Sequence, residues 1–304
     1  MSIVVTGTIG LDTVETPFGK VEEALGGSAS YFALAASLYS TVSIVSVVGE
    51  DFPAQYQKLL GRRRIDLTSV ARLPGQTFRW GGRYHYDLNT RDTLFTDLNV
   101  LTEFQPVLSE ADQSAPYVFL ANVDPALQAQ VLDQVQRPRL TMLDTMNLWI
   151  EHSRDALTEV IRRVDVVLIN DEEAREYTGE YSVFRAARAI RALGPRVVVV
   201  KRGEYGAVLV GDGDYFFLPG YPLEDPRDPT GAGDSFAGGF LGYLARVDDP
   251  STASIRRALV HASVVASFAV EQFSVQALVE LTPEQVRARF REFKRLTHFD
   301  EGEE

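Results

Sequence analysis

A carboxylate set beside glycines at the start of a helix can move a proton next to a bound anion. Residues 228–236 read Asp-Pro-Thr-Gly-Ala-Gly-Asp-Ser-Phe. Gly231 and Gly233 carry no side chain, so a bulky anion can come close to the backbone. A glycine-rich turn feeding a helix leaves several N–H groups unpaired, and the helix dipole adds partial positive charge there. Gly231, Ala232 and Gly233 are therefore a candidate anion cradle, with Asp234 at its mouth. A carboxylate there would repel phosphate unless it had another task. The fitting task is to take a proton from a hydroxyl that attacks phosphorus. The plainer alternative is a turn that starts a helix with a solvated first-turn acid. Phe236, Phe240, Leu241 and Leu244 follow at roughly helical spacing and give that helix its buried face.

The whole string resembles the C-terminal signature D-T-x-G-A-G-D of the ribokinase-like (PfkB) sugar and nucleoside kinases, with Pro229 in place of the usual Thr. The resemblance implies that Asp234 is the catalytic base and that the amides of Gly231, Ala232 and Gly233 form the anion hole. It also implies that Asp228 helps place a metal or a monovalent cation such as K⁺, and that Thr230 lies with the nucleotide.

The elements that must position this stretch can be followed along the chain. Residues 3–8 read as a buried first strand, and Asp12 lies just past it, where ligands of α/β sheets bind. It is either a turn aspartate or, as in the family, an acid that binds acceptor hydroxyls. Gly26-Gly27 followed by small residues resembles the family's N-terminal signature, but Tyr31 stands where the acceptor-binding Asn would be. Tyr31 loses an amide and gains a ring that can stack on something flat. Arg62-Arg63-Arg64 reads as a helix end.

From 77 to 87 apolar and polar residues alternate, with Phe78, Trp80, Tyr84 and Tyr86 on one face and Arg79, Arg83, His85 and Asp87 on the other. This is an antiparallel-strand signal inside an otherwise parallel pattern. Residues 12–24 and 77–97 are the expected β-sheet lid over the acceptor, and Arg91 lies in a loop able to reach it. In some family members the lid mediates dimers, and a homodimer through it is the candidate assembly.

Strands at 117–121 and 140–143 end in Asn122 and Asp144, both expected to face the cleft. Asn122 is placed with the acceptor. Asp144 is either a helix N-cap or the counterpart of a family aspartate near the nucleotide phosphates. After the strand 164–169, Asn170 and Glu173 match the family's N-x-x-E, whose acid helps hold Mg²⁺ and its waters. The other reading is a capping Asn with an acidic first turn. The strand 196–201 ends in Lys201, followed by Gly203 and Gly206, which match a family G-x-x-G beside the nucleotide. Residues 251–270 read as a long helix; in the family such a segment lines the adenine pocket, which makes His261 a candidate there.

The 304 residues carry a net charge of -12, with 42 acidic residues against 30 basic ones. That balance disfavours nucleic-acid binding, which needs Lys and Arg facing phosphates. Apolar runs fall short of the ~20 residues a membrane span needs. The absence of cysteine removes disulfides and thiolate metal sites and fits a cytoplasmic protein. Residues 300–304 read as a solvated acidic tail.

Strands alternate with helical runs throughout, which argues one α/β domain over 1–304. The expected fold is a ribokinase-like three-layer α/β/α sandwich with a mainly parallel central sheet and a small β-sheet lid. The expected reaction moves the γ-phosphoryl of ATP, with Mg²⁺, to the primary CH₂OH of a sugar. The alternative acceptor is the ribose 5′-hydroxyl of a nucleoside. From another class, a non-catalytic ligand sensor on the same fold is the remote alternative. An NAD enzyme is disfavoured, since no G-x-G-x-x-G follows the first strand.

Overall fold

The computed structural model describes residues 1–211 and 215–298, so the tail read at 300–304 lies outside the described residues. Its strands are β1 (Ser2–Thr6), β2 (Gly10–Thr16), β3 (Gly19–Gly26), β4 (Thr41–Gly49), β5 (Ile65–Asp66), β6 (Val70–Leu73) and β7 (Phe78–Tyr84). They continue as β8 (Arg91–Asp97), β9 (Tyr117–Leu120), β10 (Leu140–Asp144), β11 (Val166–Asn170), β12 (Val197–Lys201), β13 (Ala207–Val210) and β14 (Tyr215–Leu218).

The large sheet runs β14-β13-β12-β11-β10-β9-β1-β4-β5, with β6 also on β4. From β4 to β12 neighbouring strands are parallel, and β12, β13 and β14 pair antiparallel. Parallel strands need near-continuous apolar sequence because both faces are covered. Val197 to Val200 supply it in β12. Successive side chains alternate faces, so Ile3 and Val5 join one core while Val4 joins the other. The first core packs under the helices Ser28–Ala36, Ala232–Val247 and Thr252–Ala269. The second packs under Pro125–Gln134, Arg154–Ile161 and Val183–Arg191. Two cores, one on each face of the sheet, make the three-layer α/β/α sandwich.

The C-terminal ends of β9 to β12 bring Asn122, Asp144, Asn170 and Lys201 to one edge, the edge where open α/β sheets bind ligands. Over it lies a four-stranded sheet of order β3-β2-β7-β8. Its outer pairs are antiparallel and its central pair, β2 with β7, is parallel. The alternation expected through residue 87 stops earlier. A turn closed by His85 N–H on Thr90 O ends β7 at Tyr84, and Tyr86 lies past the strand, 85% exposed. Arg63 donates to the carbonyls of Val279 and Leu281 at a helix end, so the triple-arginine run does structural work.

Candidate active site

The helix Ala232–Val247 starts at the mouth of the cleft with Gly231 as its N-cap and no side-chain cap. Of its first N–H groups, that of Ala232 donates to the Pro229 carbonyl at 3.1 Å, and none is capped by the side chain of Gly231. Gly231 has φ 72°, and a Cβ there would fall 2.3 Å from the Tyr31 ring, so glycine is required by both conformation and space. Tyr31 is thus the platform under the cradle. It is buried, and its hydroxyl has no hydrogen-bond partner.

Asp234, in the first turn, has its carboxyl pushed up to about 7 by burial and by Asp144, with Lys201 opposing. Asp12, on β2, is also held up at about 7 by burial; the Gly27 N–H opposes this, and Asp228 and Asp234 add to it. Asp12 lies flush on Gly26, where a Cβ would fall 1.9 Å from its Oδ2. Both carboxylates open on one cavity of about 180 Å³. The small sheet walls it with Phe78, Trp80, Tyr84 and Arg91. Met146, Leu148 and Trp149, at the helix Asn147–His152, also line it. Arg91 lies over the Trp80 ring, 5.3 Å from its centroid. Thr230, expected with the nucleotide, lines this same cavity, and its Oγ1 donates to the Tyr84 hydroxyl at 3.3 Å.

On the other side of Asp234 sits a buried polar group. Lys201 Nζ bonds Asp144 Oδ2 at 2.6 Å, and a Cβ on Gly233 would fall 3.1 Å from that nitrogen. Glu173 and Asn170 form a reciprocal capping box: Glu173 N–H donates to Asn170 Oδ1 at 2.7 Å and Asn170 N–H donates to Glu173 Oε2 at 2.9 Å. Burial pushes the Glu173 carboxyl up to about 7, against the pull of Lys201. Gly203 and Gly206 bracket the turn that joins β12 to β13, closed by Arg202 N–H on Gly206 O at 2.8 Å.

One expected site residue lies elsewhere, and one sits beside the site with its oxygens taken by backbone. His261 is buried in helix packing, its ring stacked between Tyr243 and Phe290 and its Nδ1 3.1 Å from the Tyr39 hydroxyl. Burial lowers its pKa to about 3, so it is a neutral core residue. Asp228 accepts from the backbone N–H of Thr230 and of Ser274, each at 2.9 Å, with one oxygen for each. It clasps the loop and is fully buried. Asn122 reaches the cavity, but its amide faces Trp149 and Met146. Met146, Leu148 and Trp149 were missed. The usable signal was a tryptophan five residues past Asp144, at the end of a parallel strand.

The pfkB family carbohydrate kinase pattern matches residues 9–281. The chain belongs to the pfkB family. It is a phosphotransferase that acts on the hydroxyl of a sugar or a nucleoside. This pfkB kinase is 32% identical over 252 residues to a cytidine kinase of Thermococcus kodakarensis, covering 81% of this chain and 89% of the relative. It is 28% identical to a nucleoside kinase of Methanothermobacter thermautotrophicus, covering 90% of this chain and 86% of that one. Its fold superposes with TM-score 0.76 on aminoimidazole riboside kinase from Salmonella enterica, complexed with aminoimidazole riboside and an ATP analog. The identity is 17%, covering 95% of this chain and 100% of that one. Among the described residues no helix is long and apolar enough to cross a membrane.

Proposed function

We infer that this pfkB kinase transfers the γ-phosphoryl of ATP to the ribose 5′-hydroxyl of a nucleoside. The observation that carries the reading is the cavity lined by Asp234, by the aromatic rings Phe78, Trp80, Tyr84 and Trp149, and by the carboxylate of Asp12. Aromatic faces suit a flat base, and a buried carboxylate suits sugar hydroxyls. The names of the cytidine and nucleoside kinases it resembles support the same choice.

In this reading Asp234 takes the proton of the 5′-hydroxyl as its oxygen bonds to the γ-phosphorus. The bond to the β,γ-bridging oxygen breaks and ADP leaves with that electron pair. The amides of Gly231 and Gly233 and the Lys201 ammonium hold the charge on the transferring group, while the Ala232 N–H, bonded to Pro229 O, braces the turn. Asp12 orients the acceptor. Among the described residues no cluster of three or more acids or histidines could chelate a metal alone. That suits Mg²⁺, which keeps waters and takes phosphate oxygens beside one or two carboxylates. Glu173, beside Lys201 and Asp144, would hold it through water; when bound it neutralises phosphate charge.

The small sheet acts as a lid over the acceptor. The outer edge of β8 is unpaired among the described residues and all seven of its residues are exposed, which makes it the edge for a homodimer. A cytoplasmic location goes with use of ATP. A free sugar is the second reading, favoured by Asp12, which serves vicinal hydroxyls with or without a base. An ADP-release assay over nucleosides, pentoses and hexoses, with Asp234→Asn as blank, tests the assignment. Turnover of free sugars at kcat/KM equal to or above that of every nucleoside would overturn the nucleoside reading.

A further inference from the structure

We propose that Asn122 is a positioning residue that sets the cavity wall through Trp149 rather than by touching the acceptor. The proposal rests on the nucleoside reading only for the kind of acceptor the wall would grip. Asn122 follows β9, and its Oδ1 accepts from Trp149 Nε1 at 2.7 Å. Its Nδ2 points at Met146 Sδ, 2.9 Å away. Its backbone oxygen accepts from Ser28 Oγ at 3.4 Å, which ties the same residue to the acceptor-side helix. Both ends of the amide are therefore directed at one wall.

That wall needs an anchor. The helix Asn147–His152 has six residues, and its N-cap, Met146, makes no side-chain cap bond. A helix of this length does not hold itself in water. An indole N–H is a donor only, so it requires an acceptor when covered by protein. Asn122 supplies that acceptor and pins the first turn at Met146 and Trp149 together. Trp149 lines the same cavity as Trp80 and Phe78, and its place there is held by one side chain 27 residues away in sequence.

Four variants separate the positioning role from direct contact. Asn122→Asp keeps an acceptor for the indole. Asn122→Leu removes it. Trp149→Phe keeps a ring without the N–H, and Asn122→Leu/Trp149→Phe closes a double-mutant cycle. Kinetics with cytidine and with ribose are read beside the emission of Trp149 in a Trp80→Phe background, where it is the sole tryptophan.

The expected results are a cytidine KM raised about 10-fold in Asn122→Leu and within about 2-fold of wild type in Asn122→Asp, with the KM for ATP unchanged in both. Asn122→Leu adds no more than about 2-fold once Trp149 is Phe. Trp149 emission shifts to the red in Asn122→Leu with no acceptor present. Multiplying effects in the cycle, or an unshifted emission, would overturn the proposal and return Asn122 to direct acceptor contact. If ribose is turned over and cytidine is not, the nucleoside reading falls, while the emission shift still decides the role of Asn122.

Discussion

Lys201 Nζ lies 2.6 Å from Asp144 Oδ2, joining the ends of β12 and β10 across the end of β11. The side chains are 17% and 5% exposed. Burial works against the lysine charge, but Asp144 and Glu173 outweigh it and raise its pKa, so the ammonium persists beside the glycine cradle. The pair as a whole is neutral, but it fixes an ammonium beside Gly233, at a cost in desolvation.

Lys201→Met leaves Asp144 and Glu173 facing each other without their cation. Stability should fall by roughly 3–5 kcal/mol, the usual result of breaking a buried pair from one side. Urea unfolding measures it, and Lys201→Met/Asp144→Asn should recover part of the loss. Equal stability of Lys201→Met and wild type would mean that the pair is open to water.

Asp234→Asn should lower kcat by about 10²-fold or more, the size of a general-base contribution. It should not lower Tm. It removes a half-buried carboxylate with no direct ion pair among the described residues, held by the field of Lys201, so at pH 8 a rise of about 2 °C or more is expected. Calorimetry beside turnover checks both. A destabilised Asp234→Asn would point to a scaffolding role.

The pH profile follows from the same carboxyl. Asp234 is held up to about 7, so it is increasingly protonated, and useless as a base, as pH falls below that value. kcat/KM should drop by about 10-fold per unit on the acid side, and the limb should vanish in Asp234→Asn. Stability runs the opposite way. Asp12, Glu173 and Asp234 all lie near 7 in the fold against about 4 when unfolded. Their contribution is fully present below about pH 4 and is lost as pH rises through 7. The urea midpoint of Asp234→Asn should therefore vary less between pH 5 and 8 than that of wild type.

Gly231→Ala should cost roughly 1–2 kcal/mol from its left-handed backbone alone, with a further loss from displacing Tyr31. Gly231→Asn separates the two terms, because Asn tolerates that backbone but still carries a Cβ. If space against Tyr31 decides, both variants lose activity together. Recovery in Gly231→Asn would leave backbone strain as the sole cause.

The helix start at the glycine turn, the mainly parallel large sheet and the presence of a second small sheet were legible because each is a local pattern: a glycine turn, an apolar strand run, a two-residue alternation. Partner choice was less so. Nothing in the spacing of Asn122 tells that its amide meets Trp149, since periodicity reports which face a residue takes and not what lies across from it. His261 was misplaced for the same reason: its position in a small-residue helix gave no sign of which way the ring turns. Tyr86 kept the alternation in sequence after Asp87 had already folded the chain into a turn through the N–H groups of Asn89 and Thr90.

The tip of that turn rests on the loop after β12. Asn89 Nδ2 lies 3.5 Å from Glu204 Oε1, and a Cβ on Gly203 would fall 2.6 Å from Asn89 Oδ1. The turn after β7 and the loop after β12 therefore touch, which couples the small sheet to the end of the large one. The chain has no native thiol, so dyes attached at 89 and 204 would report the distance across this contact without background labelling.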